Sequence, residues 1–189
     1  MATFSVVILG QLNAQSRVGV KGGLNLSTLA VLNKPDNYTP PDLDYRTSFH
    51  VGVFWNIPLS EKLFLQPELQ YSSKGAKPQG LTTKLPYLVL PIMIGFKPID
   101  LLQIEGGVEV GYLLKYAAYH NDVDYGINLG VAFSITDDIS AGIRYNLGLN
   151  SIFGEEDLQF TDDRGNLIER LILPHRVIQF SLYYDLIKI

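Results

Sequence analysis

The sequence predicts an all-β fold: an eight-stranded antiparallel up-and-down transmembrane β-barrel with short periplasmic turns and long extracellular loops. Three observations predict this fold class. Apolar and polar residues alternate with period two in eight segments, as in strands with two unlike faces. The connections between these segments are alternately long and short. No uncharged stretch is long enough for a membrane-spanning helix.

The composition excludes several classes of protein. Among 189 residues, 47% are hydrophobic, 18% are charged and none is cysteine, so a disulfide framework and thiolate chemistry are absent. The charged fraction is below the roughly 25% of an ordinary soluble domain, yet the chain is too apolar for disorder. The net charge of −4 argues against a nucleic-acid footprint. The longest uncharged stretch, residues 1–16, is shorter than the ~20 apolar residues of a transmembrane helix.

The N-terminus divides the chain into two parts, with residues 1–15 as the remnant of a signal peptide and residues 16–189 as the barrel domain. Phe4–Leu9 is a short apolar run that is followed by polar residues, and strand alternation starts at Val18. The positive charge that usually opens a signal peptide is missing from Met1–Thr3. An extra strand or a plain tail is the alternative.

Eight segments are expected to form strands: residues 18–27, 48–57, 63–72, 87–97, 102–112, 124–134, 139–149 and 178–185. In the second segment Phe54 breaks the pattern, because it is apolar on the polar side. The fourth segment is apolar on both faces, and Pro86 and Pro91 weaken its assignment as a strand. None of the segments has a convincing helical period.

The lengths of the connections indicate where each end of the barrel lies. Tight turns are expected at residues 58–62, 98–101 and 136–138, and long connections at residues 28–45, 74–85, 116–123 and 151–174. Short turns at one end and long loops at the other are typical of a bacterial outer-membrane β-barrel. Both termini then lie at the periplasmic, short-turn end.

The residue types on the polar face indicate which face points inward. A soluble lipocalin-like barrel turns its apolar face inward around a ligand, whereas a membrane barrel turns it outward. Glycine weakens a solvated strand, but in a narrow barrel it makes room for long neighbouring side chains. The polar face carries nine glycines: Gly19, Gly23, Gly52, Gly107, Gly111, Gly126, Gly130, Gly142 and Gly148. We therefore expect the polar face to line the lumen.

Charges of both signs lie among these glycines, and we expect them to pair. Buried charges cost several kcal/mol each unless they are paired. The predicted lumen charge network is Lys21, Glu68, Glu105, Glu109, Arg144 and Asp185. A lumen plugged by such a network conducts little, which argues against a general porin.

Aromatic residues on the apolar face form two groups, as in the girdles of transmembrane barrels. Toward the long loops lie Tyr71, Tyr112, Tyr125 and Tyr145, and toward the short turns lie Trp55, Phe96, Phe133 and Tyr184. The alternative is that aromatic residues are simply favoured in strands.

Several motifs resemble the PorT-like outer-membrane β-barrel proteins of Bacteroidota. They are Gly19–Ser27, Gln66–Ser72 with Lys74-Gly75, Tyr87–Pro91 and Gly142–Tyr145. The resemblance implies an exported, eight-stranded barrel of the bacterial outer membrane, but it implies no single function. This chain departs from the family at position 89, which is often acidic in the family but is valine here. It also departs at the C-terminus, where the family often has an aromatic residue and this chain has Ile189.

Candidate chemistry is sparse, and neither a cofactor nor a catalytic site is expected. His50, His120 and His175 lack the spacing of a zinc site, and His50 is expected to face the lumen. Asp162–Asn166 lacks the twelve-residue calcium pattern and is better explained as a hairpin tip. A lipid-modifying enzyme at the rim is an alternative function, with these candidate residues: His120, Asp122, Asp124, Ser151 and His175.

The sequence thus leaves three functions open. The first is a structural or partner-binding outer-membrane barrel, a monomer surrounded by lipid, whose loops contact an extracellular partner or which meets a periplasmic one. The loop of residues 151–174 is a candidate binding surface, although it could equally be idle. The second is the rim enzyme, and the third is a soluble lipocalin-like barrel that binds a ligand.

Overall fold

A computed structural model describes residues 15–32, 43–78, 83–114, 122–152, 159–161, 167–170 and 172–189. Eight long strands form the barrel: β1 (Arg17–Leu29), β2 (Arg46–Pro58), β3 (Leu63–Lys74), β4 (Leu85–Ile99), β5 (Leu102–Leu113), β6 (Val123–Ser134), β7 (Ile139–Gly148) and β8 (His175–Lys188). Two short antiparallel pairs lie in the long connections: Leu43–Asp44 with Lys77–Pro78, and Gln159–Thr161 with Leu167–Arg170. The predicted signal remnant lies almost wholly outside the described residues.

Each long strand pairs antiparallel with the next, and β8 pairs with β1 to close the sheet. The predicted fold class is therefore confirmed. Closure includes one irregularity, because the partner of Val18 is Ile187 whereas the partner of Gly19 is Asp185. Within the described ranges, no helix is long and apolar enough to cross a membrane.

The polar face lines the lumen and the apolar face forms the outer wall. Side chains such as Leu24, Ile94 and Leu129 are exposed on the outside, while Asn25, Gln70 and others are buried inside. The soluble, inward-apolar barrel is therefore the wrong alternative. Phe54 is an apolar residue on the inward face, where its ring meets that of Tyr183 edge-on at 5.7 Å.

Proline does not interrupt the barrel, although Pro86 and Pro91 weaken the prediction of a strand at β4. β4 runs from Leu85 to Ile99 and includes both. The β3–β4 ladder has a gap beside Pro91, and the β2–β3 ladder has one beside Pro67. A proline lacks the backbone N–H that a ladder needs, so each gap is local. The remaining pairs on both sides hold the strands in register.

Two of the three short turns at one end of the barrel share the same local hydrogen bond. In the turn after β2, the backbone N–H of Leu63 donates to Ser60 Oγ at 3.0 Å. In the turn before β7, the N–H of Ile139 donates to Thr136 Oγ1 at 3.0 Å. Side-chain oxygens of Ser and Thr satisfy backbone donors in this way in tight turns. We call the end of the barrel that carries these turns the short-turn end, and the opposite end the long-loop end.

The outer wall supports a test of its surroundings. Leu129 is 64% exposed in the middle of β6, and Leu101 is 56% exposed in the turn between β4 and β5. If the wall faces lipid, Leu129→Arg should lower the free energy of unfolding by ~2–4 kcal/mol, whereas Leu101→Arg near the interface should cost about 0–1 kcal/mol. Urea unfolding of the barrel in lipid vesicles measures both. Equal losses for the two variants would contradict a lipid-facing wall.

Candidate functional site

A four-charge cluster, formed by Lys21, Glu68, Glu105 and Arg144, occupies the short-turn half of the lumen. Arg144 donates to both oxygens of Glu68, from Nη1 to Oε2 at 3.0 Å and from Nη2 to Oε1 at 2.9 Å. It also donates to Glu105 Oε1, from Nε at 3.0 Å and from Nη2 at 2.8 Å. Lys21 Nζ lies 2.9 Å from Glu68 Oε2. Two positive and two negative charges neutralise each other.

The four members come from β1, β3, β5 and β7, so the cluster spans the lumen and connects alternate strands. Gln66 adds a hydrogen bond from Nε2 to Glu68 Oε1 at 2.9 Å. The ring of Tyr183 lies 5.0 Å from Lys21 Nζ. Buried ion pairs are tolerated only when hydrogen bonds replace the lost water. The cluster meets this condition, and its main effect is to fill the lumen with fixed side chains.

A neutral polar layer includes His50, which is buried. His50 Nδ1 lies 2.8 Å from Asn25 Oδ1 and its Nε2 lies 2.9 Å from Ser181 Oγ. An amide oxygen only accepts, so the proton sits on Nδ1. Asn25 Nδ2 in turn donates to Ser72 Oγ at 3.0 Å. His50 is therefore a structural hydrogen-bonding residue of the lumen.

A three-charge cluster, formed by Lys74, Glu109 and Asp124, lies toward the long-loop end. Lys74 Nζ is 2.8 Å from Glu109 Oε1 and 2.7 Å from Asp124 Oδ2. Asn128 Nδ2 donates to Glu109 Oε2 at 2.8 Å. Arg46 lies beside Lys74 and donates from Nη1 to its backbone oxygen at 2.8 Å. These contacts fix both carboxylates inside the wall.

An apolar layer closes the lumen above the three-charge cluster. It consists of the buried residues Leu85, Tyr87, Val89, Leu113, Ile152 and Leu173, with Leu29 and Val31 packed against them. Ile152 and Leu173 come from the connection between β7 and β8, where the N–H of Ile152 donates to the backbone oxygen of Leu173 at 3.2 Å. The ring of His175 meets that of Tyr87 edge-on at 5.5 Å. Apolar side chains therefore replace water at this end.

The short-turn end combines packed side chains with a depression of about 260 Å³ beside Asn56, Phe64 and Lys97. Arg17 Nη1 donates to Asp185 Oδ2 at 2.9 Å. Next to Asp185 and Gln103 lies a cavity of about 20 Å³, room for about one water molecule. Phe64 packs under Gly95, where an added Cβ would overlap its ring, so glycine is required at this close approach.

The predicted charge network is divided by the structure into three groups. Lys21, Glu68, Glu105 and Arg144 meet in one cluster, as described above. Glu109 pairs with Lys74, and Asp185 pairs with Arg17. Neither Lys74 nor Arg17 belongs to the predicted network. The period of β3 contains the missed signal, because Lys74 has the same parity as Glu68 and Gln70 and so points inward.

The predicted girdle residues lie on the outer wall. Seven of them are exposed there: Trp55, Phe96, Tyr112, Tyr125, Phe133, Tyr145 and Tyr184. The eighth, Tyr71, is half-buried against Phe49, with ring centroids 5.6 Å apart. Their role as interface anchors remains a prediction.

The structure describes four of the five rim residues of the alternative enzyme: Asp122, Asp124, Ser151 and His175. Asp124 is buried and bound to Lys74. His175 is buried against Tyr87, whereas Asp122 is exposed. His120 and the predicted hairpin tip Asp162–Asn166 lie outside the described residues. No group of three or more potential metal ligands occurs among the residues that were placed.

Arg144 is the test of the four-charge cluster. Arg144→Met leaves Glu68 and Glu105 buried with a single lysine, so we expect the free energy of unfolding to fall by ~3–5 kcal/mol. Urea unfolding in vesicles measures this loss. The matched control is Lys188→Met, because Lys188 pairs with Asp138 on the exposed rim at 2.7 Å and such pairs contribute little. A similar unfolding midpoint for both variants would show that the cluster does not stabilise the barrel.

Residues 11–154, which include β1 to β7, match the family model described as outer membrane protein beta-barrel domain. No curated protein matches the sequence.

The solved structures with a similar fold include two bacterial outer-membrane proteins. Ail, the attachment invasion locus protein of Yersinia pestis, has a TM-score of 0.51 and 10% identity, and the match covers 91% of this chain and 99% of Ail. The outer membrane protein OprG from Pseudomonas aeruginosa has a TM-score of 0.50 and 14% identity, with 92% of this chain and 97% of OprG covered. At these identities the likeness concerns the fold alone. Together with the family match and the outward apolar wall, it identifies the chain as a bacterial outer-membrane protein that belongs to the outer membrane beta-barrel domain family.

Proposed function

We propose that this protein is a non-conducting outer-membrane barrel that binds a partner through its extracellular loops. The observation that carries the proposal is the filled lumen. A permeation pathway needs a continuous polar space, but here two ion clusters and an apolar layer lie one above another. A barrel that passes no solute is left with its surfaces for function, and loops on a rigid scaffold are common binding sites.

The fold is compatible with ligand binding in a protein of similar architecture. Ail of Yersinia pestis has been crystallised in complex with the heparin analogue sucrose octasulfate. The charge of the present chain favours a different ligand. Between residues 153 and 174 acidic side chains outnumber basic ones: Glu155, Glu156, Asp157, Asp162, Asp163 and Glu169 against Arg164 and Arg170. An acidic loop attracts a cationic partner and repels a polyanion.

Within the family, we propose that the chain is PorT-like, on the strength of the Gly19–Ser27 and Gln66–Ser72 motifs. The departure at Val89 has a structural explanation. Val89 is fully buried in the apolar layer beside Tyr87 and Leu113. A carboxylate at this position would need a cation there, whereas valine needs only apolar neighbours.

Conductance tests the closed lumen. In a planar bilayer we expect the unaltered barrel to give no steady channel. Removing the apolar layer alone, with Tyr87→Ala and Leu113→Ala, should leave the ion clusters in place and the current near zero. Adding Glu68→Ser and Arg144→Ser in the four-charge cluster, together with Lys74→Ser and Glu109→Ser in the three-charge cluster, should open a channel, and a heat-dependent shift in gel mobility would verify folding. Steady channels from the unaltered barrel would overturn the non-conducting role.

A fluorescent oligolysine peptide tests the acidic loop. Vesicles that contain the unaltered barrel should bind the peptide, and replacing the six loop acids by Asn or Gln should weaken binding by about tenfold because the charge attraction is lost. The control replaces the acids of a periplasmic turn, Asp137→Asn and Asp138→Asn, in barrels oriented with the loops outward. Equal binding by all three proteins would exclude the loop as the cationic-partner surface.

A further inference from the structure

The outer wall has a groove where β1, β7 and β8 meet. Its volume is about 430 Å³, and its lining includes Gly22, Leu24, Phe133, Ala141, Phe180 and Leu182. A smaller depression adjoins it on the other side of Leu182 and extends to Val20, Ile139 and Tyr184. Most of the remaining outer wall is covered by large apolar side chains, with Gly106 as an exception.

Small residues create the groove. Gly22 pairs with Leu182, and Leu182 pairs with Ala141, so the two small residues flank one leucine in a row across three strands. Gly22 faces outward like Val20 and Leu24 on β1, and Ala141 faces outward like Ile143 on β7. The groove is therefore deep because Gly22 and Ala141 have small side chains.

The protein itself does not require glycine at position 22. A Cβ added to Gly22 would meet only His50 O at 3.5 Å and Val51 Cγ2 at 3.9 Å, which are ordinary contacts. Gly95 differs, because there the ring of Phe64 fills the space. A strand glycine without an internal reason often marks the close approach of a ligand. At Gly22 this approach comes from outside the wall.

We propose that the groove binds one acyl chain of a phospholipid from the periplasmic leaflet. Three observations support this occupant. The groove is continuous with the apolar wall, which faces membrane lipid in this outer-membrane protein, and its lining is almost wholly apolar. It lies in the short-turn half of the barrel, since Ala141 is two residues from the start of β7 and Phe133 is one residue from the end of β6.

Charges at the rim match the headgroup of such a lipid. Asp138 precedes Ile139, which lines the smaller depression, and its Oδ1 lies 2.7 Å from Lys188 Nζ. The pair is exposed and offers both signs of charge at the membrane surface. A zwitterionic headgroup, with a phosphate and an ammonium, complements it. The acyl chain of the lipid thus enters the groove from the periplasmic rim, past Tyr184.

Filling the groove tests the proposal. The barrel is reconstituted in vesicles with phosphatidylethanolamine that is spin-labelled on an acyl chain, and electron spin resonance measures the lipid that is held by the protein. In the double variant Gly22→Leu/Ala141→Leu the affinity for the held lipid should fall about tenfold, which is ~1.4 kcal/mol. Because Ala141 already carries a Cβ, the single variant Ala141→Leu should lower the lipid affinity by less. This variant keeps the proposal testable if the double variant fails to fold.

Gly106→Leu is the matched control. Gly106 also faces outward but does not line the groove, and its added Cβ would meet Leu129 Cδ2 at 3.3 Å, the flexible end of a side chain. Its lipid affinity should equal that of the unaltered barrel. Equal affinity in all variants would overturn the proposal. A dimer of the unaltered barrel that the double variant dissociates would also overturn it, because the groove would then hold a second copy of the chain.

Discussion

The contact between Arg144 and Glu68 is the interaction on which the interior of this barrel depends. A narrow lumen inside a membrane leaves no bulk water to solvate a charge, so each inward ion must find its counter-ion across the lumen. Arg144 satisfies two carboxylates at once because its planar fork presents several donors in fixed directions. Lys21 then neutralises the charge that remains on the pair of glutamates. A lysine at position 144 could not form the same bidentate contact.

Packing and charge together explain why the interior is layered. Long charged side chains need room, which glycines on neighbouring strands supply, and the resulting contacts hold the strands at a fixed spacing. Toward the long loops the wall contributes Leu85, Val89 and Leu113 instead, so the interior becomes apolar. The outer wall follows the opposite rule, since it meets lipid along most of its height. The same period-two pattern thus places polar residues inside and apolar residues outside, the reverse of a soluble barrel.

Much of the fold could be predicted from the sequence because the side-chain period of a strand is two. Alternation in β5 and β6 assigned residues such as Glu105 and Asn128 to the lumen without a structure. The site was harder. The alternation of apolar and polar residues in β3 ends at Ser72, so the sequence places Lys74 in a long connection. The pairing of Lys74 with Glu109 depends on the stagger between strands, which the hydropathy pattern does not contain. The apolar layer cannot be predicted from the local sequence pattern, because Ile152 and Leu173 fold back over the lumen from a connection and contact residues distant in sequence.

The sequence separation within the four-charge cluster has a consequence for assembly. Arg144 and Glu68 are 76 residues apart, and the closing pair Arg17 and Asp185 are 168 residues apart. Until β7 has joined the growing sheet, Glu68 and Glu105 lack their main counter-ion, so partly assembled sheets carry uncompensated charge toward the bilayer. Such intermediates are high in free energy, and contacts that are distant in sequence make folding slow. Insertion of this barrel should therefore be a concerted event in which the last strands bring neutrality and closure in the same step.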